Sequence, residues 1–328
     1  MRASPTMATR IALGTVALLS LAGVAGGQVS DVNDIVMYGI NNDPPVELVR
    51  YVFGSDLLTT VGVVRDQFGA IPPEMEAFTY IPDGPHKGYY ASSNYDAWTR
   101  SRLIKVNDFD ASAYRYPNDV GFGFIVGMTA YQDADDGGKW KIYATHRGKI
   151  RAPADPSTPG FGSGLDLTNL ISIDPATGIG TRLHPIIEAP ATAYQGLALG
   201  PDMNDPSKML LYGVTNIPKS MLRTIDPATG AEGIVGQMSA SNLKLEALEW
   251  AFGDHPPGTI TLPGIDPSWT TYGVLFAFSD ITDTFKVVNP ATGEWVPYPC
   301  AFEVTDAEGL AFFTWRTDPR YGIDNGFD

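Results

Sequence analysis

Four short segments of this chain place an acid or an amide before a small residue and then an apolar one: Glu76-Ala-Phe78, Gln195-Gly-Leu197, Glu246-Ala-Leu248 and Glu308-Gly-Leu310. Val126-Gly-Met128 is a fifth copy in which the polar residue is lost. A second series, rich in aromatic residues, ends in polar side chains at Asn41, Asn94, Arg147, Asn216 and Asp280. Carboxylate and amide oxygens are hard ligands, so Glu76, Glu246 and Glu308, if brought together, suit Ca2+. Asn41, Asn94, Gln195, Asn216 and Asp280 would then contact a bound carbonyl, sugar or protein. The competing expectation is architectural, with each polar residue capping backbone amides inside its own repeat.

Histidine is scarce. His86 and His255 adjoin proline in turn-like contexts, and His184 stands alone, whereas His146 precedes Arg147 at the end of an aromatic-rich segment. In a hydrolase or lyase, His146 would act as base and Arg147 would hold an oxyanion. Asp133-Ala-Asp-Asp-Gly-Gly138 has the composition of a calcium loop but lacks the glutamate that closes the helix-loop-helix version, and reads as a hairpin turn. Phosphate-loop, dinucleotide-binding and Gly-x-Ser-x-Gly motifs are absent. Cys300 is the single cysteine, which excludes an intramolecular disulfide and points to a small buried apolar side chain.

The elements that would position these groups come from internal repetition. Leu170-Ile-Ser-Ile-Asp-Pro-Ala-Thr-Gly178 recurs as Leu222-Arg-Thr-Ile-Asp-Pro-Ala-Thr-Gly230 and as Phe285-Lys-Val-Val-Asn-Pro-Ala-Thr-Gly293, with degenerate copies starting at Leu48 and Leu103. Each copy reads as a strand and a hairpin turn: proline presets φ, the Asp or Asn side chain accepts backbone amides, and glycine supplies positive φ. With the two upstream segments, every unit of about 50–65 residues holds four strands, as a propeller blade requires.

The chain begins on a second strand and finishes on a spare first strand, Glu308–Phe313, so the ends complete one another. The expectation is an all-β propeller of five four-stranded blades, closed by pairing the N- and C-terminal strands, with six blades as the alternative. Strand direction gathers the acidic segments and the polar strand ends at one mouth of the central channel. It also places the Pro- and Gly-rich stretch from Gly148 to Leu167 over that mouth as a lid, and the insertion from Gly253 to Thr271 on the other face as decoration.

The Asp-Pro-Ala-Thr-Gly hairpins and the Glu-Gly-Leu-Ala strand resemble those of secreted bacterial β-propeller repeat proteins, including quinoprotein-like and lactonase-like groups. That resemblance implies the fold and leaves the function open. A lone Trp295 in the fourth-strand position and the lone Cys300 argue against a quinone cofactor.

Composition and the N-terminus set the remaining bounds. Lys and Arg total 22 against 37 Asp and Glu, a net charge of −15, and no basic patch offers a nucleic-acid site. Gly (35) and Pro (26) are abundant while charged residues make up only 18%, a mix of short strands and turns. Arg2 and Arg10, the apolar run Ile11–Val24 and Ala25-Gly-Gly27 read as a signal peptide over residues 1–27. Residues 28–316 then form the propeller and 317–328 a mobile tail. The expected protein is secreted or periplasmic, without a membrane span after cleavage. It binds a small molecule, glycan or extracellular protein at the channel mouth, or acts as a Ca2+-dependent, lactonase-like hydrolase through the acidic ring.

Overall fold

The computed structural model describes residues 35–96, 100–133, 136–159, 161–162, 167–185, 194–216, 219–239, 243–251, 260–279, 281–299, 304 and 307–314, with backbone only at 96, 167, 308 and 312–314. The proposed signal peptide, the tail, Cys300, His255 and Asp280 lie outside the described residues. Among those described, no helix is long and apolar enough to cross a membrane.

The strands form five antiparallel sheets of four. Blade 1 comprises β1 (Ile35–Asn41), β2 (Glu47–Val52) and β3 (Leu57–Val63), completed on the inside by β20 (Ala307–Thr314). Blade 2 comprises β4 (Met75–Ile81), β5 (Gly88–Asp96), β6 (Arg100–Val106) and β7 (Ala113–Arg115). Blade 3 holds β8 (Ile125–Asp133), β9 (Lys139–Gly148), β10 (Leu167–Ile173) and β11 (Gly180–Pro185). Blade 4 holds β12 (Tyr194–Pro201), β13 (Met209–Thr215), β14 (Met221–Ile225) and β15 (Glu232–Gln237). Blade 5 holds β16 (Leu245–Ala251), β17 (Val274–Ser279), β18 (Thr284–Val288) and β19 (Trp295–Pro297).

Inner strands β4, β8, β12, β16 and β20 pack side by side in a closed circle. The molecule is a five-bladed β-propeller. Its closure is the pairing of β20 with β1, from Ile35 opposite Thr314 to Asn41 opposite Ala307, so neither end leaves an inner sheet edge open.

The core lies in the five seams between blades. Met37, Phe276 and Phe285 fill the seam between blades 5 and 1, and Tyr38, Leu48 and Tyr89 the next. A blade is covered by a neighbour on each side, which explains why β17 (Val-Leu-Phe-Ala-Phe-Ser) is buried along its whole length whereas outer β15 is partly exposed throughout. Continuous apolar runs therefore mark inner and second strands, not alternation.

The repeated hairpin turns behave as their residues dictate. Asp174, Asp226 and Asn289 each accept, through the side chain, the backbone N–H two residues on, at 2.8–2.9 Å. Gly178, Gly230 and Gly293 close the turns with φ of 72–76°. The same turns touch the preceding blade: the Tyr116 hydroxyl donates to the Pro175 carbonyl at 2.5 Å, and the Asn118 amide to that of Thr177 at 3.2 Å.

Two expectations about insertions change. Ile260 and Leu262, in the stretch read as decoration, are buried in the seam between blades 5 and 1. Apolar spacing within a loop can serve a core that only the closed ring creates. The stretch read as a lid is fastened down where it is described: Ile150 bridges both Phe122 and Phe161, the Arg151 N–H donates to the Gly121 carbonyl, and Ala154 is buried. It forms an extra layer on the segment that leads into β8.

Candidate functional site

The inner strands bring the acid-small-apolar segments into register. Ala77-Phe78, Val126-Gly127-Met128, Gly196-Leu197, Ala247-Leu248 and Gly309-Leu310 meet at the axis around a residual void of about 10 Å3. The channel is closed there. Small residues are required because the inner strands approach so nearly: a Cβ on Gly196, whose φ is +64°, would collide with the Leu248 backbone.

Each inner strand also bulges at this point. The unpaired residue is Val126 in β8, Gly196 in β12, Glu246 in β16 and residue 308 in β20, while Glu76 and Ala77 share one bulge in β4. A bulge re-aims its side chains and sharpens the local twist. Glu76, Glu246 and the backbone of residue 308 thus occupy corresponding bulges around one end of the axis, with Gln195 paired to Val214 one residue before the β12 bulge. Glu76 is nearly buried, and Gln195 and Glu246 are half-buried. Among the described residues no three His, Cys, Asp or Glu side chains converge closely enough to hold a metal ion.

The polar residues at the ends of second strands reach across to the next blade. Asn216 Nδ2 donates to the Leu245 carbonyl at 2.9 Å, and its Oδ1 accepts from the Leu245 N–H at 3.2 Å and from the Ser220 hydroxyl. Asn94 makes the same pattern with Ile125 and Ser101. Asn42, adjoining Asn41, accepts from the Met75 N–H at 3.0 Å. An asparagine amide here imitates a strand residue and clasps the first residue of the next inner strand. Asn41 itself is half-buried and accepts weakly from the Asp43 N–H at 3.4 Å.

The equivalent position in blade 3 is Arg147; His146, one residue earlier and opposite Ile125 in the β8–β9 ladder, is fully enclosed. Asn169 Oδ1 accepts from Arg182 Nε at 2.8 Å, so its NH2 group donates to His146 Nε2 at 2.7 Å. The remaining ring N–H, at Nδ1, points to the Gly123 carbonyl at 3.3 Å, and the Phe122 ring meets the imidazole edge-on. Burial pushes the His146 pKa down to about 3, leaving a neutral ring with both nitrogens in use. Arg147, half-buried, holds the Phe124 carbonyl through its backbone N–H. Asn169 and Arg182, the other members of this network, carry no sequence signal beyond an ordinary strand.

The hairpin at Asp133–Gly138 forms as expected, with the Gly138 N–H on the Asp133 carbonyl. Lys141 reaches Asp133 at 2.6 Å and Asp136 at 3.3 Å, so cations of this hairpin already pair with these acids.

A different site opens on the opposite face, which carries the repeated turns. At the end of blade 2, Tyr80, Lys87, Gly88, Tyr89, Lys105, Asn107, Asp108, Ser112 and Tyr114 enclose an open cleft of about 570 Å3. Its aromatic wall is rigid: Tyr89 is stacked between Phe78 and Tyr80, with Tyr38 tilted against it. Lys105 lies across Gly88, where a Cβ would meet its Cε, and its ammonium sits 5.5 Å from the Tyr90 ring centre. Burial lowers the Lys105 pKa below the usual lysine range. Lys105, Asn107 and Asp108 belong to the degenerate hairpin copy starting at Leu103, where the spacing marks a turn and gives no sign of a cleft.

No family model matches the chain, and no curated protein matches it in sequence. Among solved structures the alignments are distant. The nidogen–laminin complex aligns at 12% identity and a TM-score of 0.45, covering 87% of this chain and 82% of that one. TolB from Acinetobacter baumannii gives 13% and 0.39, over 86% and 67%. A gluconolactonase from Xanthomonas campestris gives 12% and 0.40, over 83% and 80%.

Proposed function

We propose that the chain is a propeller binding module that recognises a small molecule or glycan without covalent chemistry, exported after removal of residues 1–27. The supporting observation is the blade 2 cleft, where polar and aromatic side chains line an open space within the usual range for ligand sites. The residues of the axis, the clasps and the Asp-Pro-Ala-Thr-Gly turns, in contrast, are occupied by contacts within the fold. The test is a thermal-shift and NMR screen of glycans and small acids, repeated on Tyr114→Ala, since Tyr114 is half exposed on the cleft wall. Binding that stabilises the native state with ligand concentration and disappears in that variant is the expected result. Ligands that bind equally well to Tyr114→Ala would place recognition elsewhere.

A second reading is a Ca2+-dependent, lactonase-like hydrolase, favoured by the corresponding positions of Glu76, Glu246 and residue 308 around the axis. Melting with EGTA and then with graded Ca2+ separates the two. A saturable rise lost in Glu246→Gln supports the hydrolase; an unchanged melting temperature supports the module.

A further inference from the structure

Resting on the reading of the blade 2 cleft as a ligand site, we infer that its ligand is a saccharide bearing a carboxylate, and that Lys105 reads the charge. The chain carries far more acids than bases, and its described lysines mostly have partners. Lys139, Lys141 and Lys208 pair with aspartates, and buried Lys286 donates to the Thr282 and Thr284 hydroxyls. Lys105 differs: no carboxylate lies within ion-pair distance of it among the described residues, and its contacts are the Tyr90 ring and the space left by Gly88.

A half-buried ammonium has lost part of its hydration and regains it best from an anion held in the same cleft. Lys87 adds a second positive group to the lining. The rest of the lining selects the body of the ligand. Asp108 on the wall and Asp110 in the adjoining turn disfavour a polyanion such as a phosphorylated compound, but a carboxylate at Asp108 accepts from hydroxyl groups. The Ser112 hydroxyl supplies a further polar partner, while Asn107 is engaged in the turn, its Oδ1 accepting from the Phe109 N–H at 3.0 Å. The half-exposed Tyr114 ring offers a flat apolar face to the C–H side of a sugar ring. One acid, several hydroxyls and an apolar face together describe a uronic-acid sugar.

The experiment measures the affinities of galacturonate- and glucuronate-terminated disaccharides. Each is compared with its neutral counterpart, in which CH2OH replaces the carboxylate, and with acetate and inorganic phosphate alone. The acidic sugar is expected to bind about tenfold or more tightly than the neutral one, the scale of a charge-assisted hydrogen bond. Lys105→Met should abolish that preference while melting like the parent chain, and Lys105→Arg should retain it.

Equal binding of both sugars, or a preference unchanged in Lys105→Met, overturns the inference and leaves the cleft standing as a neutral-ligand site. Tighter binding of phosphate than of the acidic sugar likewise overturns it in favour of a simple anion site. Failure of every sugar, together with a full screen indifferent to Tyr114→Ala, overturns the cleft reading itself.

Discussion

Glu249 and His146 are both buried, and both titrate far from their ordinary ranges for the same reason, loss of hydration. Glu249 accepts from the Trp250 N–H at 3.1 Å, its other oxygen has no hydrogen-bond partner among the described residues, and burial raises its pKa well above 4.5. The native state therefore keeps a proton that the unfolded chain has released, and stability falls as pH rises above 4.5. His146 works the other way. Its pKa drops from 6.5 to about 3, so the unfolded chain binds the proton first and stability falls as pH drops below 6.5.

Between pH 4.5 and 6.5 the two slopes oppose each other. Glu249→Gln should remove one of them, and the variant's unfolding free energy in urea should then climb with pH across that window by up to about 1.4 kcal/mol per unit. Above pH 6.5 the variant should also outlast the parent. Identical pH profiles for the two chains would mean that Glu249 is ionised in the native state.

At the scale of elements, the blade-to-blade clasp is the testable device. Asn216→Ala removes both partners of Leu245 and leaves its buried N–H and C=O unsatisfied, a loss of about 2–3 kcal/mol. Asn216→Asp should fare little better, because a carboxylate cannot donate to the Leu245 carbonyl. Urea unfolding checks both, and a loss under 0.5 kcal/mol, the usual size for surface changes, would show that the clasp is dispensable. The turns and strands of these elements were legible locally, since Pro, Asp or Asn, and Gly act within five residues. The clasps were not. Asn94 and Asn216 looked free to meet a ligand because the amides they satisfy belong to Ile125 and Leu245, about thirty residues away.

For the whole molecule, closure is the decisive contact. A chain ending before Ala307 would lose β20, exposing the edge of β1 and removing buried Leu310 and Ala311 from two seams. It should associate or unfold, because an exposed inner edge pairs with other chains. Size-exclusion chromatography with light scattering should show the truncated chain in larger assemblies or aggregate than the intact one. A monomer melting at the parent temperature would mean that four complete blades are self-sufficient.

Repetition in the sequence was enough to determine a propeller of four-stranded blades and the closure of β20 on β1, because these rest on short-range turn chemistry and on counting strands; the choice of five blades over six came from the sheets themselves. Repetition also marked the acid-small-apolar segments as the innermost ones. Only the tertiary structure decided that those segments shut the axis, since the fit of Gly196 against Leu248 or Gly309 against Phe78 depends on strands from different blades. It alone enclosed His146, through Asn169, Arg182 and Phe122. And it alone assembled the blade 2 cleft, whose residues come from three stretches of chain, only one of them a copy of the repeated hairpin, so that burial and proximity, not spacing, single out Lys105.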